Sequence, residues 1–148
     1  MGFDLKWQQD LKDKYTNLLE FVHYIECESG WKEIIENLLL NIHRFEASVK
    51  VENPKYRPIK LVQIKQKYGC LRVYYDFHYP YAYSDVISDM ITAAELESVK
   101  TCELCGSKTN VRTLAKRSWL LTICAVCDTD YAKKHAAWFM KDTKTDEP

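Results

Sequence analysis

Two Cys-x-x-Cys pairs, Cys102 with Cys105 and Cys124 with Cys127, stand 18 residues apart and constrain this chain more than any other feature. Two tight turns that each offer two thiolates across a hairpin surround a single tetrahedral ion. Gly106, directly after the second cysteine, suits such a turn because glycine accepts positive φ. The expected ion is one Zn2+, with iron in the same four-thiolate geometry as the alternative. Four protein ligands leave no open coordination position, so the expected role is structural and not catalytic. A redox Cys-x-x-Cys is the competing reading, but such motifs stand singly at a helix start in a βαβ unit, which is not legible here. Cys27 and Cys70 lie outside the pattern.

The other bounds agree with a metal site. Six cysteines would suggest disulfides in an exported chain, yet Asp4, Lys6 and Asp10 do not resemble a secretory signal. Apolar runs such as Leu38, Leu39 and Leu40 fall far short of the roughly 20 residues that cross a bilayer. A cytoplasmic location with no membrane partner is expected. The 148 residues suffice for one compact domain, or for a domain with a small appendage, and a composition with 28% charged residues and only 4 Gly and 4 Pro favours order. A net charge of zero excludes whole-molecule attraction to nucleic acid, but residues 51–80 hold 6 basic and 2 acidic side chains.

Trp7, Leu11, Tyr15, Leu18, Val22 and Ile25 recur at helical spacing and predict a helix over about 5–25. Ser29 and Gly30 interrupt it, and Trp31, Ile35, Leu38, Ile42 and Phe45 predict a second helix over 31–48. Pro54 and Pro58 end the helical region. Strands are expected at 59–67, with Val62 and Ile64 inward, and at 71–77, joined by Tyr68 and Gly69. A third helix is expected over 84–99 with Ser84 as N-cap. Between the cysteine pairs, 110–114 and 118–123 suit a short hairpin, followed by a helix carrying Tyr131 and His135. The expected fold class is α+β: an N-terminal helical hairpin, a β-hairpin, a third helix and a C-terminal zinc ribbon with a terminal helix. It divides into a body at 1–100, a zinc module at 101–140 and a flexible tail at 141–148.

The second constellation lies in the basic stretch. On the first strand Gln63, Lys65 and Lys67 share a face, and Arg72 and Tyr74 are available from the next. Such cations and hydrogen-bond donors suit a phosphate or carboxylate. Equally, lysines on a strand are often only its solvated edge. Lys108, Arg112, Lys116 and Arg117 add a basic set near the cysteines. No phosphate-binding glycine loop, nucleophile elbow or His-Glu-x-x-His is present, so no catalytic residue is assigned and an enzyme is not expected.

Gly30 and Trp31, then Gln63, Lys65, Lys67, Tyr68, Gly69, Leu71, Arg72, Val73 and Tyr74, then Thr101, Cys102, Cys105 and Gly106, then Trp119, Thr122 and Cys124 form a pattern. It resembles a family of small, uncharacterised bacterial and bacteriophage proteins. That family often ends its second metal turn in histidine where this chain has Cys127, an exchange between two competent zinc ligands. The resemblance implies a mobile-element origin and a host-cytoplasmic location, without a known activity. The functional expectation is a non-enzymatic, zinc-stabilised binding protein. It would act as an inhibitor or adaptor of a host component, such as a defence protein, or sequester a small nucleotide-like anion. The alternative is a nucleic-acid-binding zinc ribbon that uses the basic hairpin.

Overall fold

The apolar spacing from Trp7 to Ile25 marks buried positions, but the helix it suggests stops early. In the computed structural model, which describes residues 4–76, 81–116 and 118–145 (backbone alone for 81, 82 and 137–145), α1 spans only Lys6–Lys14. The segment after it folds irregularly while still burying Leu18, Leu19, Val22 and Ile25. The physical reason is lateral hydrogen bonding. The Leu18 carbonyl accepts the Leu61 amide at 3.0 Å, the Glu26 amide donates to the Ile64 carbonyl at 2.9 Å, and the Glu26 carbonyl accepts the Gln66 amide at 2.9 Å. A continued helix would spend those groups on its own turns. Gln8, buried on α1, fixes the new path by donating to the Ile25 carbonyl at 2.8 Å and accepting the Ile25 amide at 2.5 Å.

A single 3-10 turn, Ser29–Trp31, leads into α2, Lys32–Glu52. Ile35, Leu38, Leu39 and Ile42 recur at helical spacing along α2 and point into the core, where burying each contributes about 1.5–3 kcal/mol. Below them lies an antiparallel hairpin of β1, Lys60–Lys67, and β2, Cys70–Asp76. Its turn is Tyr68 and Gly69 at φ 55 and 78, the double positive φ of the tight turns that match strand twist. A bulge between Leu61 and Gln63 turns Val62 outward, contrary to simple alternation, so Leu61 and Ile64 face the core instead. Phe77, expected to end the second strand, lies outside the described residues.

Helix α3, Tyr81–Ser98, begins before Ser84, which therefore sits inside the helix and is not its cap. The helix buries Ile87, Ile91 and Ala94 and covers the free edge of β2 with polar side chains. Ser98 Oγ accepts the Leu71 amide at 2.9 Å and Glu95 Oε2 accepts the Val73 amide at 3.3 Å. With residues 18–26 on the β1 side, both edges of this two-stranded sheet are occupied, which removes the pairing hazard of an open edge. Near the end of α2, the buried Glu46 accepts the Tyr56 hydroxyl at 2.6 Å and the Ile59 amide at 2.8 Å, pinning the entry to β1.

The second hairpin pairs β3, Val111–Lys116, with β4, Trp119–Cys124, and α4, Ala125–Thr145, follows without a break. α4 runs past Lys141, where the expected tail begins, and 146–148 lie outside the described residues. The architecture is α+β in the expected order, with two separate two-stranded sheets. Among the described residues no helix is long and apolar enough to cross a membrane.

Candidate metal centre and the adjoining basic face

Two turns bring the four cysteines together. In the first, the Gly106 amide donates to the Cys102 carbonyl at 2.9 Å, Gly106 lies at φ 82, and the Ser107 amide points at Cys105 Sγ at 3.4 Å. In the second, Cys124 ends β4 and the Cys127 amide, in the first turn of α4, donates to Cys124 Sγ at 3.4 Å. The four sulfurs lie within 4.8 Å of one another, and Cys105 and Cys124 are 3.7 Å apart. Thiolates about 2.3 Å from a tetrahedral ion are themselves about 3.8 Å apart, so the cluster fits one metal ion. All four are free of disulfides. Their proton affinities conflict: the Cys127 amide holds Cys124 down at about 7, while partial burial pushes Cys127 well up. A bound cation would resolve that conflict, because it would keep every ligand sulfur deprotonated.

The cluster does not stand alone. Trp31, fully buried, donates its indole N–H to the Thr101 carbonyl at 2.9 Å, and the Gly30 amide donates to the Glu103 carbonyl at 2.7 Å. A Cβ on Gly30 would fall 2.2 Å from the Glu103 carbonyl oxygen and 2.3 Å from that of Cys102. Only glycine lets the chain approach the first metal turn this closely. Glu103, between the first two cysteines, is buried and joins three segments. Its carboxylate accepts the Glu28 amide at 3.1 Å and the Gln66 side-chain amide at 3.2 Å, and its own amide donates to the Thr122 carbonyl at 2.9 Å. Burial raises its pKa, and those two amide donors oppose the rise.

Gln66 and Thr122 complete the junction. Gln66 also donates to the Leu120 carbonyl at 2.7 Å and accepts the Gly69 amide at 3.3 Å. Thr122 donates to the Gly69 carbonyl and lies 2.7 Å from the Thr113 hydroxyl. A Cβ on Gly69 would meet Thr113 Cγ2 at 2.6 Å, so this glycine is required both by φ and by contact with the second hairpin. Gln66 was legible as a polar residue in the inward phase of β1. Glu103 was not, since nothing in the cysteine spacing marks an acid between ligands as buried.

The five candidate anion-binding residues do share one face of the first hairpin. Gln63 pairs with Tyr74 and Lys65 with Arg72 across the strands, with Lys67 beside the turn, opposite the buried Ile64, Leu71 and Val73. Two of the five are already engaged. Gln63 donates to Glu26 at 2.9 Å, and Arg72 lies 3.4 Å from Glu95. Lys65 and Lys67 have no ion-pair partner among the described residues. The second basic set is more compromised, for Lys108 pairs with Glu97 at 2.8 Å and Lys116 with Asp128. Arg112 stays exposed on β3, and Arg117 lies outside the described residues.

Two hollows bear on ligand binding. The larger, of ≈ 490 Å³ between α2, α3 and the first metal turn, carries Lys32 and Lys108 against Glu33 and Glu97, so its charges balance. The other, an open groove of ≈ 420 Å³, is bordered by Lys65, Lys67 and Tyr68 of the first hairpin and by Trp119 and Leu120 of the second. Its charged lining is positive. Comparison with family models, with curated proteins and with solved structures gave no match, so the site is read from its own chemistry.

Proposed function

We propose that this chain is a non-enzymatic binding protein whose cysteine cluster holds one structural zinc ion and whose first hairpin holds an anionic partner. The closed set of four sulfurs supports zinc, which is indifferent to redox state and takes this tetrahedral set more commonly than other ions. Metal analysis of the purified protein tests this part. One zinc per chain is expected, and stoichiometric iron or no metal at all would overturn it.

The observation that carries the binding reading is the pair Lys65 and Lys67, two cations with no acidic partner among the described residues, on a hairpin anchored to the cysteine module. On the same hairpin, Lys60 and Arg72 by contrast meet the carboxylates of Glu20 and Glu95. Inorganic polyphosphate is the simplest probe. It should bind at low salt and weaken steeply as salt is added, and Lys65→Ala with Lys67→Ala should weaken the binding and flatten its salt dependence. Unchanged binding in that double variant removes the assignment.

A host protein as partner, in an inhibitor or adaptor role, is the second reading. It is favoured by the exposed Phe21, Tyr24 and Val62, which border a hollow of ≈ 320 Å³ on the β1 side of the sheet. Replacement of Phe21 and Tyr24 by alanine would then release a defined partner while leaving polyphosphate binding intact.

A further inference from the structure

Resting on the reading that this face binds anions, we propose that the groove between the two hairpin turns takes a single-stranded nucleic acid. Its bases would stack on Tyr68 and Trp119 and its phosphates would meet Lys65 and Lys67. Tyr68 is 75% exposed and Trp119 58% exposed, and both border the same groove although they belong to different sheets. Lys67 sits 5.8 Å from the Tyr68 ring centroid, so charge and aromatic face are already adjacent.

Turn chemistry does not account for Tyr68. A residue at φ 55 in a two-residue hairpin turn is ordinarily asparagine, aspartate or glycine, because a bulky side chain is strained there. The tyrosine ring is also not drawn into the core to compensate, since it stands in solvent. A strained, exposed aromatic residue beside unpaired cations points to use by a ligand.

The choice among anions follows from the aromatic residues. Phosphate or a carboxylate needs only the lysines, and a duplex hides its base faces by stacking them on one another. A single strand presents both a charged backbone and free base faces, which lysines and exposed aromatic rings recognise together without sequence preference. The two walls of the groove are tied to each other. Gln66 donates from one hairpin to the Leu120 carbonyl of the other, and Thr122 donates back to the Gly69 carbonyl. Trp119 therefore borders the same groove as Tyr68 only because the cysteine module is docked on the body.

The test titrates the metal-loaded protein with a labelled oligothymidylate, with a duplex of equal length and with inorganic polyphosphate of matched charge. The single strand should bind best. Tyr68→Ala and Trp119→Ala should each weaken it by about fivefold or more while leaving polyphosphate binding unchanged, as expected when a base loses its stacking partner. Replacing Lys65 and Lys67 together should weaken both ligands and reduce the salt slope for the single strand by about 1.4, two phosphates' worth. Both aromatic residues are exposed, so these variants should keep the native circular dichroism spectrum. Equal binding of single strand and polyphosphate, with the aromatic replacements silent, overturns the nucleic-acid assignment and leaves the anion reading standing. Equal duplex binding also overturns it, as does a protein partner lost in Tyr68→Ala without any oligonucleotide binding. If no anionic probe binds at low salt, both readings fall.

Discussion

The body of the chain encloses Trp31, Ile35, Leu39, Ile42, Ile64 and Leu71 completely, whereas the cysteine module encloses little beyond Cys102, Leu121, Ile123 and Cys124. Two of the module's four buried apolar residues are themselves members of the cysteine cluster. The body is thus held by apolar burial drawn from α1, α2, the first hairpin and α3, and the module by its cluster and by the surface it docks on. A segment this small cannot bury enough apolar area to offset its conformational entropy alone, so docking on the body, and the ion that the cluster would hold, must supply the rest.

Stripping the metal should break this contrast most visibly. Structural zinc in small modules contributes about 10–16 kcal/mol to folding, so chelation should remove amide protection from β3 and β4 while leaving it in α2. Hydrogen exchange measures both regions in one experiment, and equal loss in the two would mean that they fold as one unit. Gly30→Ala attacks the docking instead. Its Cβ would fall 2.2 Å from a backbone oxygen that cannot swing away, and overpacking of this kind costs about 1–3 kcal/mol. The expected result is a lowered Tm with the metal still bound, and retention of full stability would show that the junction is soft.

Glu103→Ala tests the junction by subtraction. It would leave the Glu28 amide without its acceptor and the Gln66 side chain with one acceptor of two, at about 1–3 kcal/mol, measured by denaturant unfolding. Smallest is a pH effect confined to the body, at Glu46. Burial raises its carboxyl pKa, with the Tyr56 hydroxyl, the Ile59 amide, His43 and Lys60 opposing the rise. The folded state therefore binds this proton more tightly than the unfolded chain does. Glu46 should contribute stability that is full below the unfolded pKa and is lost as pH rises through the raised folded value. In Glu46→Gln that slope should vanish from the pH dependence of unfolding, and an unchanged slope would place its origin elsewhere.

Sequence by itself determined the features that depend on short stretches of chain. The cysteine spacing specified that four sulfurs would meet, in a cluster that fits one ion, because their placement is local to two turns. Tyr68 and Gly69 marked the hairpin, and alternation along β1 and β2 assigned Gln63, Lys65, Lys67, Arg72 and Tyr74 to one face. Helical periodicity selected Leu18, Val22 and Ile25 as buried, yet it mistook their conformation. Periodicity reports which residues are apolar, and not whether the backbone between them is claimed by a neighbouring strand.

Tertiary structure alone decided how the pieces meet. It ended α1 at Lys14 by pairing residues 18–26 with β1, and it made Gly30 indispensable through contact with Cys102 and Glu103. It paired Arg72 with Glu95 and, among the described residues, left Lys65 and Lys67 without an ion pair. It also set Trp119 across a groove from Tyr68. Each of these outcomes joins residues distant in the chain, and which distant groups meet depends on how whole elements pack, a property that no window of sequence contains.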